Sequence, residues 1–128
     1  MTDAPADTAI LLILCATRRA KGSIDGKRFS KWAGWRHSQW IAPGLAGNIF
    51  GVFGMGRIGL AAAARARAFG TSKAQRNRLR LAPAVENGAR YLGDVDTSPS
   101  ETDVLLIASP LSPDTTRFLN DQRIAMMP

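Results

Sequence analysis

The sequence predicts an α/β fold built on a doubly wound parallel sheet, and three observations carry that prediction. The apolar run "NIFGVF" (residues 48–53) has the length of a buried strand and leads straight into a glycine turn, "GMGRIG". Residues 58–69 then form a segment of strong helix propensity, rich in alanine, with Gly70 placed to end it. Further on, "DVLLIAS" (residues 103–109) is a second apolar run suited to a buried parallel strand. Strand, turn, helix and strand in this order are the elements of a doubly wound sheet.

The elements around this centre are less regular. "TDAP" opens a first helix, with Thr2 or Asp3 to cap it and Pro5 in the first turn, where a missing N–H costs nothing. This helix is expected to run to about Ala20, with Arg18, Arg19 and Lys21 near its negative end. Its middle, "AILLILCA", is apolar nearly all round, which asks for cover on every side and suggests partner surface. Residues 23–47 read as a connecting segment holding Trp32, Trp35 and Trp40. "TSKAQR" falls where a second strand belongs, but Lys73 and Gln75 make it a poor one. "APAVENGA" suits a short helix ended by Gly88, and "ARYLG" a short strand. In "VDTSPSET", Ser98, Pro99 and Ser100 argue against a full helix. "PLSPDTTRFLN" is a loop, and Asn120 starts a last helix. The expected organisation is an apolar helix over 1–22, the connection over 23–47, and an incomplete dinucleotide-binding domain over 48–128.

Composition narrows the functional classes. A chain of 128 residues with 45% hydrophobic and 21% charged residues is an ordinary globular domain with one core. Its net charge of +7 suits a phosphate-bearing partner, or else is only a basic surface. Cys15 is the only cysteine, which excludes an intrachain disulfide and a cysteine metal cluster. It is expected to be a small core residue, and a reducing cytoplasm is compatible with it. The apolar run 9–16 is far short of the roughly 20 residues of a membrane span, and Asp3 and Asp7 stand where a signal peptide wants positive charge. No metal site and no membrane partner are expected. The tryptophans with Arg28, Lys31 and Arg36 fit a nucleic-acid stacking surface less well than a packed connection. His37 stands alone, without the partners that catalysis needs.

The glycine turn carries the chemistry. Gly54, Gly56 and Gly59 stand in G-x-G-x-x-G spacing between a strand and a helix. Gly54 would allow the tight turn, Gly56 the approach of a pyrophosphate to the backbone, and Gly59 close packing of helix on strand. The phosphates would then meet free N–H groups at the positive end of the helix. A glycine turn serving packing alone is the alternative. Roughly 20 residues on, NAD-binding domains place a carboxylate on the adenosine ribose. Here the sequence reads "RNRLR", with Asn77, Arg78 and Arg80 and no acid. Guanidinium groups bind a 2′-phosphate that a carboxylate would repel, which favours NADP over NAD. A solvated arginine cluster is the alternative reading.

Together "GNIFGVFGMGRIG", "RNRLR" and "DVLLIASPLSPDTTRFLN" resemble the D-isomer-specific 2-hydroxyacid dehydrogenases, with the nearest likeness to the glyoxylate/hydroxypyruvate reductase branch. "TDAPADTAILLILCATRR" is similar to the helix that precedes the glycine motif in that family. The resemblance implies a partial Rossmann domain truncated at both ends. It implies that Gly54, Gly56, Arg57, Ile58 and Gly59 hold the pyrophosphate, that Asn77, Arg78 and Arg80 follow the NADP-using pattern, and that Ser109 and Pro110 border the cofactor. It also implies a homodimer using the first helix, and a 2-oxo or 2-hydroxy acid as substrate of the intact enzyme. The family's catalytic arginine, acid and histidine match no residue here, so no catalytic residue is assigned. A non-catalytic nucleotide-binding or assembly module is the other class of function considered.

Overall fold

The computed structural model describes residues 1–28, 34, 41–77, 89–91 and 99–128. Helix α1 (Asp3–Thr17) is followed by α2 (Ala20–Arg28), β1 (Ile49–Phe53), α3 (Arg57–Ala68) and β2 (Lys73–Asn77). The short strand β3 (Ala89–Tyr91), a 3-10 turn at Pro99–Glu101, β4 (Val104–Ile107) and α4 (Asp121–Ala125) complete the order. The four strands form one parallel sheet in the order β3-β2-β1-β4. Chain reversal at β1, with β2 on one side and β4 on the other, is the topological switch of a doubly wound sheet, where such folds bind their ligands.

The core lies between the sheet and the two helices α1 and α3. From β1 come Phe50 and Val52, from α1 Ile10 and Ile13, from α3 Ala63 and Ala66, and all are buried in one cluster with Leu45 and Met55. Burying a side chain such as Phe50, which is 0% exposed, contributes about 1.5–3 kcal/mol. The small residues of α3 let the helix lie close on β1 and α1. Arg65 adds a polar clamp, donating to Asp7 Oδ1 at 2.6 Å and to Asp3 Oδ1 at 2.8 Å. The N-terminal helix is thereby fixed to the helix that follows the glycine turn.

Several expectations need correction. The first helix does not reach Ala20: it ends at Thr17, capped by Arg18. Arg19 takes φ 51, a left-handed conformation that breaks a right-handed helix. Lys21 therefore belongs to α2, where it pairs with Asp25 at 2.9 Å, and the connecting segment begins with helix rather than irregular chain. Cys15 is exposed, not a core residue. It lies about 200° around the helix from Ile13, on the face opposite the core. Leu11 and Leu12 are also exposed, at 59% and 63%, so among the described residues only one face of α1 is covered. β4 is half-buried rather than fully buried, because it forms the sheet edge, and Ile107 is 43% exposed.

The poor strand "TSKAQR" does form β2, pairing with β1 from Ile49↔Lys73 to Phe53↔Asn77 and with β3 on its other side. Backbone ladders on both edges hold it in spite of Lys73 and Gln75, since strand propensity yields to sheet context. β3 agrees with "ARYLG"; a 3-10 turn forms at Pro99–Glu101, and the first half of "VDTSPSET" lies outside the described residues. The helix expected in "APAVENGA", the three tryptophans and His37 lie outside the described residues.

Candidate functional site

The site is the turn between β1 and α3. β1 delivers the chain through Phe53, whose carbonyl accepts from Ala108 N at 2.7 Å. Gly54 then takes φ 95, a left-handed conformation natural to glycine. A Cβ here would stand 2.6 Å from Ser109 N and 2.8 Å from Ala108 C, so the loop after β4 packs directly on the turn. Met55 points into the core and is only 4% exposed, anchoring the turn between its two glycines. Gly59, one helical turn into α3, lies against the Gly54 carbonyl and 3.0 Å from Val52 Cγ1, measured from the position of an added Cβ. Both Gly54 and Gly59 are thus explained by the protein's own packing.

Gly56 is different. It is the N-cap of α3, with φ −80 and ψ −166, an extended conformation open to any residue. Nothing lies within 4 Å of the position a Cβ would take. Helical bonding begins with Leu60 N to Gly56 O at 2.9 Å, which leaves the first-turn amides without an intrahelical acceptor. No side-chain hydrogen bond caps this helix, and no acid stands in its first turn. Arg57 and Ile58 are exposed beside this end. The result is an open helix end with amide donors, a positive dipole and a cation, suited to an anionic group such as a pyrophosphate.

Asn77 ends β2 opposite Phe53, which places it at the carboxyl end of the neighbouring strand and next to the turn. Arg78 and Arg80 lie outside the described residues. Ser109 is half-buried with its backbone against Gly54, and Pro110 is exposed beyond it, its carbonyl accepting from Thr115 Oγ1 at 2.8 Å. Of the residues expected at the site, Gly54, Gly56, Arg57, Ile58, Gly59 and Ser109 therefore come together at one sheet end. Among the described residues no group of three or more His, Cys, Asp or Glu could hold a metal, and no helix is long and apolar enough to cross a membrane.

Sequence reasoning missed Met55 and the packing of Phe118. The Phe118 ring stacks on Phe53 with centroids 3.7 Å apart and planes 15° apart. Arg123 covers its other side, with the guanidinium carbon 4.8 Å from the ring centre. An apolar residue inside a polar loop was the available signal.

Residues 10–128 match the family described as D-isomer specific 2-hydroxyacid dehydrogenase, NAD binding domain. The chain belongs to this family. Its fold at the turn is thus that of an NAD-binding domain, whose partner is a nicotinamide dinucleotide, within a family of oxidoreductases. A glyoxylate reductase of Thermococcus litoralis is 33% identical over 132 residues, covering 99% of this chain and 40% of the relative. A glyoxylate/hydroxypyruvate reductase B of Pectobacterium atrosepticum is 33% identical over 129 residues, again 99% of this chain and 40% of the relative. A crystal structure from Polaromonas sp. JS6 66, assigned to the same dehydrogenases, superposes with TM-score 0.91 at 43% identity, covering 99% of this chain and 40% of that one. The chain therefore spans about 40% of the length of the curated relatives it matches.

Proposed function

We propose that this chain is the dinucleotide-binding part of a reductase of the glyoxylate/hydroxypyruvate type, with NADP preferred over NAD. The observation that carries the reading is Gly56. Packing within the protein accounts for glycine at 54 and at 59, but nothing near residue 56 requires it. A pyrophosphate lying on the backbone there does require it, because a side chain would stand between the phosphates and the amides. Gly54, Gly56, Arg57, Ile58 and Gly59 would hold the pyrophosphate, while Ser109 and Pro110 border the bound cofactor. Asn77, at the end of β2, stands where a ribose carboxylate would otherwise exclude a 2′-phosphate, and Arg78 and Arg80 supply the compensating charge.

When bound, the nicotinamide supplies a hydride to the carbonyl carbon of a 2-oxo acid. The chain's own residues bind and orient the dinucleotide. By the family resemblance the family's arginine, acid and histidine are matched by no residue here, and the chain alone is expected to bind NADPH without reducing glyoxylate. In the intact enzyme, the substrate is a 2-oxo acid such as glyoxylate or hydroxypyruvate. The exposed Leu11 and Leu12 of α1 support the homodimer that the family resemblance implies. The domain reading keeps a leading helical segment over 1–22, whose apolar helix ends at Thr17, a connection over 23–47 that begins within α2, and the dinucleotide-binding region over 48–128.

Titration calorimetry with NADPH and NADH tests this reading. Tighter binding of NADPH is expected, and equal or stronger binding of NADH would remove the preference for NADP. Turnover of glyoxylate by the 128-residue chain would contradict the assignment of no catalytic residue.

A second reading, a non-catalytic assembly module, draws on the cleft of about 490 Å³ between α1 and the edge strand β4. It is lined by Leu12, Ile13, Val104, Leu105 and Leu106. A complementary subunit seated there would co-purify with the chain, and a lone monomer in solution would count against it.

A further inference from the structure

We propose that Phe118 and Arg123 are positioning residues for the glycine turn, holding it in the shape that accepts the dinucleotide. This rests on the reading of that turn as a nucleotide site. The loop between β4 and α4 meets the turn at both of its ends. At one end Ala108 N donates to the Phe53 carbonyl at 2.7 Å, and Ser109 lies against Gly54. At the other end Phe118, 5% exposed, stacks on the Phe53 ring. Phe53 and Gly54 are consecutive, so the loop brackets the peptide at which the chain turns left-handed.

The loop is stiff enough to act as a brace. Thr115 Oγ1 donates to the Pro110 carbonyl at 2.8 Å and accepts from Ser112 N at 2.7 Å, and Phe118 N donates to Thr115 O at 3.1 Å. Arg117 takes φ 56, a strained turn for a non-glycine residue that sets Phe118 facing β1. Arg123 then closes the stack from outside. Its guanidinium lies 4.8 Å from the Phe118 ring centre, and its Nη1 donates to the Phe118 carbonyl at 2.6 Å. Asn120 fixes the backbone of Arg123 by accepting from its N–H at 2.9 Å. A continuous series of contacts thus runs from the α4 cap to Gly54. Stacked rings and a covering guanidinium have a defined geometry that a general apolar contact lacks.

The test compares the full chain with Phe118→Ala, Phe118→Leu and Arg123→Gln. The dissociation constant for NADPH is read by calorimetry well below the melting temperature of each, and hydrogen exchange is read at the amides of residues 54–59. Phe118→Ala is expected to weaken binding roughly three- to tenfold, Arg123→Gln about two- to fivefold, and Phe118→Leu least of the three. Exchange at 54–59 should quicken in the same order. A merely structural role would lower the melting temperature and leave the dissociation constant and the exchange at 54–59 as in wild type, and that result would overturn the proposal. Should Phe118→Ala not fold, Arg123→Gln decides by the same readings. Failure of the wild type to bind any dinucleotide would sink the nucleotide reading instead. The exchange comparison, which needs no ligand, would still decide whether the brace sets the turn.

Discussion

Ser109 N stands 2.6 Å from where a Cβ on Gly54 would be, so the loop after β4 leaves no space for any side chain at the first glycine of the turn. The obstruction is backbone, which cannot rotate aside, and Gly54 has φ 95 besides. Gly54→Ala is therefore expected to cost at least about 2 kcal/mol, from left-handed strain and overpacking together. Urea unfolding of the variant against wild type checks this, and an unchanged midpoint would mean the loop does not press on the turn.

Within β1, Gly51 faces the fully buried Thr102, whose Cγ2 and Oγ1 would lie 2.5 and 2.9 Å from an added Cβ. Gly51→Ala should destabilise by about 1–3 kcal/mol. Thr102→Ala should remove most of that penalty, giving a coupling energy of about 0.5–3 kcal/mol in the double-mutant cycle. Simple additivity would show that the strand has moved away from Thr102.

Arg65 ties α3 to Asp3 and Asp7 of α1, and the hydrogen bonds to Asp3 and then Asp7 raise the pKa of its guanidinium. Both carboxylates are largely exposed, so salt should screen the clamp. Arg65→Met is expected to melt below wild type in dilute buffer, with the gap shrinking towards 1 M salt, where the Debye length is about 3 Å. A gap independent of salt would assign the effect of Arg65 to packing of its stem.

The elements legible in the sequence were those whose local signals and tertiary surroundings agree. β1, α3 and β4 follow directly from "NIFGVF", the alanine run and "DVLLIAS", and Gly70, with φ 77, ends α3 as its position suggests. Arg19 shows where the pattern fails. Nothing in "TRRAKG" marks a left-handed residue, so the join between α1 and α2 reads as one continuing helix. Cys15 reads as buried because its neighbours are apolar all round, whereas burial is decided by the single face on which Ile10 and Ile13 join the core. β2 forms on ladders from both neighbours, which no local reading of Lys73 and Gln75 can supply. At the site, the glycine spacing was legible because it is a local pattern in the sequence, and packing within the protein accounts for two of its members, Gly54 and Gly59. The Phe53–Phe118 stack was not, since it joins residues far apart in sequence.

On the proposed reading, cofactor preference turns on the end of β2. Asn77→Asp introduces a carboxylate at the end of β2, where on that reading it would accept from a ribose hydroxyl and repel a 2′-phosphate. The ratio of NADPH to NADH affinity should fall by about tenfold or more, the scale of one charge-assisted hydrogen bond. Calorimetric titration of both dinucleotides checks this, and an unchanged ratio would place the 2′-phosphate contact elsewhere.

Gly56 gives the most direct measurement. Its surroundings are open and its backbone is ordinary, so Gly56→Ala should leave thermal unfolding within about 2 °C of wild type, as for a surface substitution of about 0.5 kcal/mol. The same variant should bind NADPH at least about tenfold more weakly, because the new methyl group occupies the approach to the first-turn amides. Loss of binding with unfolding unchanged is the predicted result. Wild-type affinity in Gly56→Ala, or a wild type whose melting temperature neither dinucleotide raises, would contradict a pyrophosphate site at this turn.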